Sequence, residues 1–225
     1  MLAAVAAGAE PSGRAAAKPA AKPVQGEQGL NVPVEIRGKR VEYSGREGRV
    51  TFTGNVVVTR GTARLLADEV TTLRGTSEAS ARGNVMLKDA ERKIDLTCAE
   101  AAYTHGLRQV MASGTCHLIA GEGDSLTVVD SDEMEVFVEN KEAIARGNVR
   151  IMQGENEAEC RLAHLYGKEH RAVLFGDPVL RHPPHEFRSD EVVSFFQEGK
   201  LVLNGNVRAR IHAGKLDTLG KEGSP

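Results

Sequence analysis

The chain has 225 residues, with 29 Lys+Arg against 31 Asp+Glu and a formal net charge of −2, a balance that argues against a nucleic-acid binder relying on a strongly basic surface. Aromatic residues make up only 4% and Trp is absent, too few for platforms that stack bases or sugars. Hydrophobic residues at 40% can supply a core, yet no run approaches the roughly 18 apolar residues of a membrane-crossing helix.

Residues 1–30 differ in composition from the rest of the chain. Ten of the first 22 residues are Ala, punctuated by Lys18-Pro19 and Lys22-Pro23, a composition that buries too little apolar area to offset ordering entropy. Ala7-Gly8-Ala9 fits the small-x-small pattern of a signal-peptidase site, but no basic stretch precedes it. Residues 1–30 are therefore expected to be a truncated signal-like segment and a disordered Ala/Pro/Lys linker, with a full signal or anchor supplied by any start further upstream. Residues 213–225, polar and Gly-containing, are expected to form a flexible tail. Residues 31–212 remain as the folded domain.

A repeat organises that domain. Gly-Asn-Val recurs at Gly54, Gly83, Gly147 and Gly205, with degenerate copies at Gly114 and Gly176, a period near 30 residues that defines six units. Glu69, Glu100, Glu133 and Glu191 each stand fourteen residues before a glycine, and Asp68, Asp132 and Asp190 precede three of them. Turn residues also keep phase, so each unit reads as two segments of about ten residues between two turns, which suits strands.

Alternation tests that reading. The positions two and four residues either side of the glycines are Val50, Phe52, Val56, Val58; Ala79, Ala81, Val85, Leu87; Val110, Ala112, Cys116, Leu118; Ala143, Ala145, Val149, Ile151; Ala172, Leu174, Pro178, Leu180; and Leu201, Leu203, Val207, Ala209. All are apolar. The odd positions are mostly polar, as in Thr51, Thr53 and Asn55. Successive strand side chains point to opposite faces, so one face is oily six times over. The six glycines are expected on that oily face, in one register, as a seam along which the sheet folds sharply. The Asp-Glu strand breaks its own alternation and is expected to carry the inserted residue of a bulge. Packed tightly, the oily face is an ordinary sandwich core; held open, it is a gutter for apolar cargo.

No constellation in the sequence points to catalysis or a cofactor: Gly-x-Ser-x-Gly and the P-loop are both missing. The repeated glutamates are spaced one unit apart and are expected to be solvent-facing bulge or turn residues rather than a converging acid/base pair. His182-Pro-Pro-His185 has chelating spacing but no adjacent partner, and Gly121-Glu-Gly-Asp124 is no complete calcium loop, so both are expected to be solvent-facing turns. Cys98, Cys116 and Cys160 lack metal-binding spacing, and Cys116 is expected to pack as a small hydrophobe; the sequence leaves their redox state open.

The segment Val41-Glu-Tyr-Ser-Gly-Arg-Glu-Gly-Arg-Val-Thr-Phe-Thr-Gly-Asn-Val-Val-Val58, followed by Leu66-Ala-Asp-Glu-Val70, resembles the OstA-like family of lipopolysaccharide-transport proteins, with phased echoes over about residues 31–212. The resemblance implies an all-β fold: an antiparallel β-jellyroll, a taco-shaped folded sheet. It implies a non-enzymatic periplasmic role in carrying lipopolysaccharide to the outer membrane, with acyl chains in the apolar groove and no cofactor or metal. The groove lining so implied is Val50, Phe52, Val56, Val58, Val85, Leu87, Val110, Leu118, Val149, Ile151, Leu174, Leu180, Leu201, Leu203 and Val207, with Gly54, Gly83, Gly114, Gly147, Gly176 and Gly205 as structural glycines. Implied partners are like domains of inner- and outer-membrane transport components, or further copies, joined through edge strands near residues 32–36 and 201–211. A β-repeat scaffold with a closed core and no cargo is the alternative.

Overall fold

The computed structural model describes residues 33–73, 78–104, 109–123, 126–137, 140–195 and 198–212; the expectations for residues 1–30 and 213–225 lie outside them. All regular elements of the described residues are strands: β1 Glu35–Arg37, β2 Arg40–Ser44, β3 Arg49–Arg60, β4 Ala63–Leu73, β5 Glu78–Asp89, β6 Ile94–Thr104, β7 Gln109–Ala120, β8 Thr127–Phe137, β9 Glu142–Gln153, β10 Asn156–Tyr166, β11 Arg171–Phe175, β12 Val179–His182, β13 His185–Arg188, β14 Glu191–Phe195, β15 Lys200–Asn204 and β16 Arg208–Arg210. They form one antiparallel sheet.

The strand pairing resolves into twelve successive rungs, each crossing a bend. Eight rungs are the unbroken strands β3 to β10. The first is β1 with β2, interrupted at Gly38-Lys39, and the last three are β11 with β12, β13 with β14, and β15 with β16. On one side of the bend, the first flank, β2 pairs the start of β3, and β11, β14 and β15 follow β10. On the other side, the second flank, β1 pairs the end of β3, and β12, β13 and β16 follow β10. The six two-strand units of the sequence are these rungs taken in pairs; the strands are as the repeat implies, and the folded antiparallel sheet is as the family resemblance implies.

The bend is built by a two-against-one bulge. Thr53 pairs Glu69 and Val56 pairs Ala67, so Gly54 and Asn55 together oppose Asp68 alone. The same count recurs at Gly83-Asn84 against Ala99 and Gly114-Thr115 against Asp132. The extra residue thus lies in the Gly-Asn strand, not in the Asp-Glu strand as expected. The broken alternation of the Asp-Glu strand records the fold of the sheet there, not an insertion.

The glycines also face differently from expectation. Gly147 and Asn148 have φ of 72° and 45°, and the other glycines and their followers repeat this left-handed pair, which Gly adopts freely and Asn or Asp more readily than other residues; Thr115, in the degenerate third unit, holds it against its β-branched preference. The inverted backbone turns the missing side chain away from the core. A Cβ on Gly83, Gly147 or Gly205 would strike Asp68, Asp132 or Asp190, and on Gly114 it would lie 2.6 Å from Ala99 Cβ. Asp68 and Asp132 are exposed. The glycines therefore line the outer spine of the seam, where a neighbouring side chain needs their space.

Inner residues of both flanks join a single apolar cluster. Val56, Val85, Val149 and Cys160 come from the second flank, and Val70, Met134, Ala145 and Val192 from the first.

Candidate functional site

Among the described residues the repeat concentrates apolar side chains on the inner face, and their burial is graded along the chain. Around Gly54, Val56 is buried while Val50, Phe52 and Val58 are half-buried. Around Gly83, Ala81 and Val85 are buried while Ala79 and Leu87 are half-buried. Around Gly114 only Val110 stays half-buried, beside buried Ala112, Cys116 and Leu118. All four positions around Gly147 and around Gly176 are buried, Ile151, Leu174 and Leu180 among them. In the last unit Leu203 is half-buried, and Leu201 and Val207 are exposed at the sheet's end. The expected lining residues thus share one face, but they divide into a deep packed set and a half-covered set.

The outer spine carries a feature that alternation along the sequence does not reveal. Asn84 Nδ2 donates to Asp68 Oδ2 at 2.8 Å, Asn148 to Asp132 at 2.8 Å and Asn206 to Asp190 at 3.0 Å. In the degenerate fifth unit the polarity is exchanged: Arg161 donates to Asp177 at 2.5 Å. Each pair joins residues sixteen apart across the bulge, a spacing present in the sequence. These exposed clasps contribute little stability each, but they hold the left-handed dipeptide in its turn.

The repeated glutamates do not converge. Arg82 lies 3.7 Å from Glu100, Asn204 donates to Glu191 at 2.7 Å, and Glu69 and Glu133 take register partners on neighbouring strands. On the outer side of the second flank charges alternate across strands. Arg150 meets Glu157 at 2.6 Å, Arg181 meets Glu159 at 3.1 Å and Glu186 at 3.7 Å, and Arg188 meets Glu186 at 3.0 Å. The hydrogen bond from Arg181 holds the Glu159 carboxyl below its ordinary range.

His182-Pro-Pro-His185 departs from the expected solvent-facing turn. Both prolines are exposed, but His185 is 3% exposed and its Nδ1 accepts the His212 amide at 3.4 Å. The parity is responsible: His185 opens β13 on the inner side, two residues before Phe187. Of Gly121-Glu-Gly-Asp124, Gly121 and Glu122 fall in a bend, and Asp124 lies outside the described residues. Cys98, Cys116 and Cys160 are buried, free thiols. Burial pushes Cys116 and Cys160 up to about 11, with the neighbouring Cys98 adding to the effect at Cys116. Among the described residues no three His, Cys, Asp or Glu side chains gather as a metal site.

The sheet is left open at both ends. β1, β2, β15 and β16 each have one neighbouring strand among the described residues. Apolar side chains are uncovered at these ends: Val41 and Tyr43 on β2, Leu201 on β15, and Val207 and Ile211 flanking β16.

Residues 35–126 match the family model described as LptA/(LptD N-terminal domain) LPS transport protein. No curated protein matches the chain. A solved structure similar to it is the crystal structure of LptH, the LptA homologous periplasmic component of the conserved lipopolysaccharide transport device from Pseudomonas aeruginosa. That likeness has 13% identity, covers 82% of this chain and 98% of that one, and has a TM-score of 0.24. The matched segment, residues 35–126, begins at β1 and ends just before β8, and over it the chain is similar to the LptA/(LptD N-terminal domain) family of LPS transport proteins.

Proposed function

We propose that the protein is a non-catalytic periplasmic carrier that shields the acyl chains of lipopolysaccharide on its inner apolar face during transport to the outer membrane. The observation that carries this reading is the apolar inner face itself, continued over all twelve rungs of a sheet that folds along a seam without closing. Each methylene withdrawn from water returns about 0.8 kcal/mol without directional bonds, so a chain can shift along Val, Leu and Ile side chains while the sugars stay hydrated. The four single-neighbour strands supply the means of joining. Unpaired edges accept further strands, and an even number of antiparallel rungs lets the last rung of one domain meet the first rung of a like domain with alternation intact. Partners are thus like domains of inner- and outer-membrane transport components, or a second copy.

Native mass spectrometry of protein purified from a lipopolysaccharide-producing host tests the reading: species carrying one glycolipid are expected. A uniformly lipid-free protein, also after mixing with purified lipopolysaccharide, refutes it and leaves the closed scaffold. Burial of all eight inner positions flanking Gly147 and Gly176 favours that second reading for this part of the sheet.

A further inference from the structure

The uneven cover of the inner face bears on where cargo sits. Around Gly54 and Gly83, Val50, Phe52, Val58 and Leu87 keep part of their surface open, and so does Leu65 on the rung between them. Around Gly147 and Gly176 all eight flanking positions are buried, and Leu165, on the rung between them, is the inner residue there that is only half-buried. Proximity to an end does not account for this. Gly83 lies on the fourth rung from the start of the sheet, whereas Gly176 lies on the third rung from its finish and is nevertheless the better covered.

Side-chain size points the same way. Over β9 to β11 four inner residues of the first flank are alanines, Ala143, Ala145, Ala163 and Ala172, each 9% exposed or less, beside buried Leu174 and half-buried Leu165. Such short side chains are shielded only when other protein atoms lie directly over them, so a hydrocarbon tail has no volume to enter. Over β3 to β6 the open residues are larger and uncharged, and they present partly wetted apolar surface, which is what a flexible hydrocarbon covers with most gain.

We propose that acyl chains seat over β3 to β6 alone and that the inner face over β9 to β12 is a lipid-free packed core. This rests on the carrier reading above and divides the face that reading treats as one groove. The N-terminal end is then where cargo is received, and the C-terminal part is the rigid support that holds the flanks at their angle.

Two measurements test the division. In the first, a photo-crosslinking amino acid replaces Leu65 or Leu87 in one pair of variants and Ile151 or Leu174 in another. Each folded variant is irradiated with purified lipopolysaccharide, and adduct is quantified by mass. Yields at Leu65 and Leu87 are expected to exceed those at Ile151 and Leu174 at least tenfold. Equal yields at all four overturn the division while leaving the carrier reading standing; adduct at none overturns both. In the second, amide hydrogen exchange of the unsubstituted protein is followed with and without purified lipopolysaccharide. Exchange is expected to slow at least threefold in β3 to β6 and to stay unchanged in β9 to β12. Equal slowing in both segments overturns the proposal without relying on any variant folding.

Discussion

Gly114 gives the sharpest test of the seam. Its φ is +79°, and a Cβ placed there would stand 2.6 Å from the Cβ of Ala99, an atom with no torsion by which to move aside. Gly114→Ala therefore carries two costs: about 1–2 kcal/mol for an L-residue in the left-handed region, and about 1–3 kcal/mol for forcing atoms into filled space. About 3 kcal/mol is expected from the two together. Gly154, with φ +57° and nothing within 4 Å of its own Cβ position, isolates the backbone cost, and Gly154→Ala is expected to lose about 1 kcal/mol, part of it offset by a less flexible unfolded chain. Ala99→Gly in the Gly114→Ala background removes the collision, and the double-mutant cycle should show a coupling of at least about 1 kcal/mol. Urea unfolding reads the parent, the three single variants and the double variant, provided the m-value is unchanged. If Gly114→Ala loses no more than Gly154→Ala, or the cycle shows no coupling, the glycines do not exist to make room at the spine.

Two further outcomes rest on buried titratable groups. Asp89 is 8% exposed and accepts from Thr62 at 3.1 Å and from Arg92 at 2.5 Å; burial raises its pKa, but these bonds outweigh it and hold the carboxyl below its ordinary 3.8. Because the folded value is the lower one, its contribution is complete above about pH 4 and is lost as pH falls. Asp89→Asn should thus cost about 1–2 kcal/mol at pH 7 and much less near pH 2, and an equal urea-midpoint shift at both pH values would contradict this. The Cys116 and Cys160 thiols, raised to about 11 by burial, contribute stability that is present below about pH 9 and drains as pH rises towards 11. Iodoacetamide at pH 8 should leave all three native cysteines unmodified and label three per chain in urea; native labelling would show that the inner face is not closed over them.

The fold is legible in the sequence because two periods coincide. Strand alternation and the thirty-residue glycine mark keep phase, so Val56, Val85 and Val149 can be assigned to one face and to equivalent places on it. What stays hidden depends on which strands face each other across the bend. The Asp68–Asn84 clasp is set by a pairing register in which Gly83, Asn84 and Val85 oppose Ala67 and Asp68, and alternation along either strand alone misassigns the extra residue. Its signal is nevertheless present: Asp68 to Asn84, Asp132 to Asn148 and Asp190 to Asn206 all span sixteen residues, and Arg161 to Asp177 repeats the interval with donor and acceptor exchanged. That exchange preserves the contact while changing both residue types, as expected of a position selected for pairing rather than for acidity. The burial of His185 runs against the turn that its two prolines signal, because its parity with Phe187 places it on the inner side. The distance between flanks has no counterpart in periodicity, so half-covered Phe52 and buried Leu174 read alike in the sequence.

The same distance decides how cargo could move. Admitting a tail over β9 to β12 would uncover Val149, Ile151, Leu174 and Leu180 from their present partners, at about 1.5–3 kcal/mol each, or roughly 6–12 kcal/mol together. A tail of about a dozen methylenes returns on the order of 10 kcal/mol once covered. The two nearly cancel, so the closed part gains nothing decisive by opening, whereas the half-covered part over β3 to β6 takes the same tail with little to uncover first. On the proposed reading, a carrier built this way would load without unfolding its support. Passage beyond the loaded end then requires a new apolar surface beside β1 and β2, where Val41 and Tyr43 already stand uncovered, rather than a channel through the packed half of the same domain.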